Sequence, residues 1–75
     1  MIYKTTDSQL RKKYDTQYGR TVRPKGKRWA IIEVHHGHKP TIIRWFRTQN
    51  AAMKELRRLT RRGYGRLHLL RCERD

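Results

Sequence analysis

The chain has 75 residues, 35% of them hydrophobic, with 20 Lys and Arg against six Asp and Glu, and a formal net charge of +14. A chain this short makes one small domain with a limited core, and no stretch is long and apolar enough to cross a bilayer as a helix. The excess positive charge opposes compaction unless an anion offsets it, so a polyanion is the first class of partner to consider.

The single cysteine, Cys72, excludes an internal disulfide, and Met1-Ile2-Tyr3-Lys4 lacks the apolar core of a secretory signal. A reducing, cytoplasmic setting is expected. A basic helix lying on a membrane surface is disfavoured, because the bulky residues alternate as in strands instead of lining one helical stripe.

Thr6-Asp7-Ser8, ahead of Leu10 and Tyr14 at i and i+4, predicts a short capped helix with a two-residue apolar face. From Asp15 to Arg28, Gly19, Pro24 and Gly26 stand among five basic residues, and the segment reads as a mobile arm, disordered without a partner. Residues 1–27 are thus expected to form a basic arm containing a short helix, ahead of a folded unit over 28–75.

In that unit Trp29, Ile31 and Glu33 alternate with Ala30, Ile32 and Val34. After the break at His35-His36-Gly37-His38-Lys39-Pro40, Ile42, Arg44 and Phe46 alternate with Ile43, Trp45 and Arg47. β-Branched and aromatic residues on either side of a Gly/Pro break predict a β-hairpin. Strict alternation would put Trp45 with Ile43 on one face and Phe46 with Ile42 on the other. Thr48 or Asn50 then opens a helix that Gly63 closes, with Ala52, Met53, Leu56 and Leu59 along its apolar stripe. Arg66 to Cys72 alternates as a third strand. The fold class expected is α+β, a β-β-α-β unit with one helix on a three-stranded sheet.

The strongest candidate site is the polar face of that helix, where Lys54, Arg57, Arg58, Arg61 and Arg62 recur at three- and four-residue steps and only Glu55 opposes them. The arm residues Arg20, Arg23, Lys25, Lys27 and Arg28 form a second set suited to following phosphates. Trp29, Trp45 and Phe46 are contact candidates: one helix covers one sheet face, leaving an aromatic set free to stack on bases unless the N-terminal segment folds over it. The four His and one Cys lack the spacing of a structural zinc site, so no metal is assigned. The six carboxylates form no acid/base pair and no phosphate cradle or nucleophile motif is present, so neither an enzyme nor a cofactor is expected.

Gly26-Lys27-Arg28-Trp29-Ala30-Ile31-Ile32, then Phe46-Arg47-Thr48 and Ala51-Ala52 with Leu56 and Leu59, resembles the sheet-plus-helix DNA-binding domains of AP2 proteins and phage integrase arm-binding regions. The resemblance covers roughly residues 26–60. It implies a sheet entering the major groove, with Arg28, Glu33, Arg44 and Arg47 near DNA. That family places three strands before its helix, whereas here the third clear strand follows it. The β-β-α-β order also resembles a small phage inhibitor of bacterial RNA polymerase, which is less basic.

The leading reading is a small nucleic-acid-binding regulatory or accessory protein, DNA over RNA. One alternative is a phage-type protein that inhibits a host enzyme, such as RNA polymerase or a nuclease complex, by docking on an acidic or nucleic-acid-binding surface. A second is a binder of structured RNA or the ribosome. None of these readings involves a membrane or a small-molecule substrate.

Overall fold

In the computed structural model, which describes residues 2–16 and 22–75, the chain runs through β1 (Ile2–Thr6), α1 (Asp7–Lys13), β2 (Asp15–Thr16), β3 (Trp29–Glu33), β4 (Thr41–Phe46), α2 (Gln49–Arg61) and β5 (Leu67–Glu73). The strands form one mixed sheet in the order β1-β5-β3-β4-β2. The α+β class and the β3-β4-α2-β5 order agree with expectation. The three-stranded sheet does not: β1 adds parallel to β5, from Ile2 opposite Leu69 to Thr6 opposite Glu73, and β2 adds parallel to β4. Residues 2–16 are therefore part of the sheet and its packing and not simply an arm on a separate unit. The short helix expected there is α1, capped by the Thr6 hydroxyl, which accepts from the Gln9 N–H at 3.4 Å.

Leu10 and Tyr14 alone would not hold a seven-residue helix. They hold it because both are buried against Ala30, Ile32, Ile42 and Leu70, with Tyr3, Val34 and Trp45 packed around them. The other face of the sheet carries Trp29, Ile31 and Leu69, covered by Ala52, Met53, Leu56 and Leu59 of α2. The sheet face expected to lie open near Trp45 is thus occupied by the N-terminal segment.

The connections share a common logic. β3 is antiparallel to both neighbours, so β4 and β5 run parallel and α2 crosses over β3 to link them. The β1–α1–β2 connection crosses the sheet in the opposite direction on the opposite face, which gives both crossovers the same hand.

Strict alternation fails in β4. Trp29, Ala30 and Ile31 pair with Phe46, Trp45 and Arg44, but Ile32 pairs with Ile42, so Ile43 is the extra residue of a β-bulge. The bulge shifts side-chain parity by one. Trp45 consequently packs on the α1 side with Ile42, and Phe46 on the α2 side with Ile43, the reverse of the expected grouping.

The segment expected to be a disordered arm is largely structured where it is described. Asp15 donates its N–H to the Pro40 carbonyl at 2.9 Å, and a turn closes from Pro24 to Lys27 with Gly26 at φ +79°. That φ favours glycine; a Cβ there would also sit 3.1 Å from an Arg47 guanidinium nitrogen, the exposed end of a flexible side chain that can give way. Arg20 and Gly19 lie outside the described residues.

Candidate nucleic-acid interface

The polar face of α2 is shaped by how the helix starts, which side it buries and how it stops. Thr48 caps the start by accepting from the Ala51 N–H at 3.2 Å, and the first turn holds no acidic residue. At the end, Tyr64 N–H reaches the Leu59 carbonyl at 3.2 Å and Gly63 N–H the Thr60 carbonyl at 3.1 Å. With Gly63 at φ +95°, this is a Schellman stop. Ala52, Leu56 and Leu59 turn toward the sheet. Lys54, Arg57, Arg58 and Arg61, all exposed, then lie within about 100° of arc on the opposite side at 3.6 residues per turn. Arg62, the C-cap, continues that surface round the end of the helix.

Glu55 sits off this arc on the flank facing β4. Its carboxylate accepts from Arg44 Nη1 at 3.2 Å and from Arg58 Nε, and its side chain is 14% exposed. The Arg58 hydrogen bond, assisted by the charges of Arg58 and Arg44, holds the Glu55 carboxyl below its ordinary range. The one carboxylate of α2 therefore partly neutralises Arg58 and Arg44. Lys54, Arg57, Arg61 and Arg62 have no carboxylate partner among the described residues.

The second set separates into structural and free cations. Arg23 donates Nε to Asp7 at 2.8 Å and Nη1 to the carbonyls of Pro24 and Lys27, both at 3.3 Å. Its guanidinium lowers the Asp7 carboxyl, with a smaller contribution from the Cys72 thiol. Arg28 donates to the Cys72 carbonyl at 3.3 Å. These two arginines staple the 22–28 segment to α1 and β5, whereas Lys25 and Arg47 are exposed and Lys27 half-buried. Cys72 is fully buried, and burial first, then the nearby Asp7 carboxylate, pushes its thiol up to about 12. It is chemically quiet.

Trp29 is only 9% exposed, which removes it as a stacking platform; Trp45 and Phe46 are half-buried. The Arg71 guanidinium lies 5.0 Å from the Trp29 ring centroid, and that of Arg44 lies 5.5 Å from Phe46. Two cationic features were not foreseen. Lys4 on the edge strand stands directly opposite Arg71, a like-charge cross-strand pair in which Glu73, 3.9 Å from Arg71 Nε, offsets part of the charge. Arg11, Lys12 and Lys13 close α1 on the sheet face away from α2; their only signal in the sequence is the run of three bases itself.

Of the histidines, His35 Nε2 lies 3.2 Å from the Thr41 hydroxyl and 3.5 Å from Glu33, and His68 packs on Tyr3 with centroids 5.3 Å apart. No cluster of three or more metal-ligating side chains occurs among the described residues, and no helix there is long and apolar enough to cross a membrane. No family model, curated protein or solved structure matches the chain, so any function must be read from this surface chemistry.

Proposed function

We propose that this protein binds nucleic acid, duplex DNA in preference to RNA, by laying the outer arc of α2 against the phosphate backbone, as a regulatory or accessory factor of the cytoplasm. The observation that carries this reading is the arc itself. Lys54, Arg57 and Arg61 project from one side of a 13-residue helix without a carboxylate partner, while the helix's single acid is turned to the flank. A solvated exterior ordinarily mixes charges of both signs. Arg62 extends the arc at one end, Lys4 adds a cation on the same sheet face beside an Arg71 that is shared with Glu73, and Arg47 adds one at the β4–α2 corner, next to the turn that holds the exposed Lys25. Arg23 and Arg28 support the fold, and Arg44 and Arg58 contribute through a shared Glu55. These are contacts to phosphate, which position a protein on a duplex without reading its sequence.

A salt titration of binding to a mixed-sequence duplex and to a matched RNA tests the proposal. Each neutralised phosphate adds about 0.9 to the slope of log affinity against log salt. The expected result is a slope of magnitude about 3 or more, with tighter binding to DNA. No binding at about 50 mM salt, or affinity unchanged by about 200 mM, overturns the reading.

A further inference from the structure

A cavity of about 350 Å³ opens beneath the C-terminal end of α2, lined by Glu33, Thr41, Ile43, Leu59, Tyr64 and Leu67. Its floor is built by register: Leu67, Glu33 and Thr41 stand side by side across β5, β3 and β4. Leu59 forms the roof, and Tyr64, brought under the helix by the Schellman stop, forms the outer wall while staying 55% exposed. The Schellman contact explains why Tyr64 lies near Leu59. It does not explain a carboxylate in the floor, of which His35 Nε2 approaches only Oε1, at 3.5 Å, leaving Oε2 for an occupant.

In a chain of net charge +14, that carboxylate is the informative group. A well-matched occupant presents a hydrogen-bond donor to the second Glu33 oxygen, an apolar or aromatic body to Ile43, Leu59, Leu67 and Tyr64, and a negative charge toward Arg62, which follows Leu59 by three residues on the helix, Arg58 being shared with Glu55. A phosphate alone meets only the last demand and is repelled by Glu33. An apolar peptide side chain meets only the second. A nucleotide whose base carries an exocyclic amino group meets all three, since a carboxylate accepts from such an amine and an aromatic ring stacks on the base.

We propose that this cavity receives one unpaired, amino-bearing nucleobase, cytosine above all, from a single-stranded or locally opened segment. The inference rests on the nucleic-acid-binding reading above and adds a base site to its phosphate surface. Thymine and uracil, which lack the amino group, fit it less well.

The test uses the full chain labelled with ¹⁵N and titrated with CMP, UMP and ribose 5-phosphate. CMP should move the amide resonances of Glu33, Thr41, Tyr64 and Leu67 more than UMP does, and ribose 5-phosphate should leave them in place. Tyr64→Ala should weaken binding of a short oligo(dC) by about 5- to 150-fold, the range for loss of one aromatic–base stack, and leave duplex affinity unchanged. Tyr64→Phe should restore it. Glu33→Gln should erase the preference for oligo(dC) over oligo(dT). Equal shifts from CMP and ribose 5-phosphate, or an unaltered oligo(dC) affinity in Tyr64→Ala, overturn the base site. If the duplex binds at low salt while CMP leaves the cavity resonances still, the base site fails and the phosphate surface stands; if neither binds, both fail.

Discussion

Replacing Lys54, Arg57 and Arg61 together by Gln isolates the outer arc of α2 from the rest of the charge. All three are exposed and none has a carboxylate partner among the described residues. Gln matches Lys and Arg closely in helix propensity, and removing three like charges eases self-repulsion, so the melting temperature should hold or rise. If each residue neutralises one phosphate, the salt slope should fall by about 2.7, and affinity at about 0.1 M salt by two to three orders of magnitude. Arg58→Gln provides the internal contrast. Glu55 holds that guanidinium and that of Arg44, so a single change there should cost less than any one of the other three. Fluorescence anisotropy with a labelled duplex, repeated over several salt concentrations, measures both affinity and slope. A triple variant with affinity within about twofold of the parent and the same slope would show that the arc is solvated exterior, and the reasoning from unpaired charge would be wrong.

Leu10→Ala tests the role of the N-terminal segment. Leu10 is 1% exposed beneath α1, so truncation should remove about 2–5 kcal/mol and lower the melting temperature by more than about 8 °C in a domain of this size; a silent substitution would mean residues 2–16 are a detachable arm after all. On acidification, Asp7 and Glu55, both held below their ordinary range in the folded chain, contribute stability that is complete above about pH 4–5 and lost as pH falls through their lower folded values. Thermal melts should therefore be flat from about pH 7 to 5 and fall below about pH 4, and Asp7→Asn should flatten that acid limb; a melting temperature that rises on acidification would contradict the ion-pair assignment. Thr48→Ala should cost about 1 kcal/mol through loss of the α2 cap, read by urea titration, and an unchanged midpoint would place the helix start elsewhere.

Local chemistry alone determined much of this protein. The hairpin of β3 and β4 follows from β-branched alternation about a Gly/Pro break. The limits of α2 follow from Thr48 and Gly63, and its charged arc from spacing at three and four residues. Each is a short-range preference that a stretch of sequence carries within itself.

What only the tertiary structure decided is whatever depends on partners far along the chain. Ile2–Thr6 finds a parallel partner in Leu69–Glu73, and no turn signal announces a parallel pair whose strands are not neighbours in sequence. The two apolar residues of α1 suffice only because a sheet face awaits them. One bulged residue, Ile43, reverses which face Trp45 and Phe46 occupy, since side-chain direction has a period of two and any insertion inverts all that follows. The sorting of the cations is likewise tertiary. Composition counts Arg23, Arg44 and Arg57 alike, but the fold gives Asp7 to the first and Glu55 to the second, leaving only the third with its charge free for a partner.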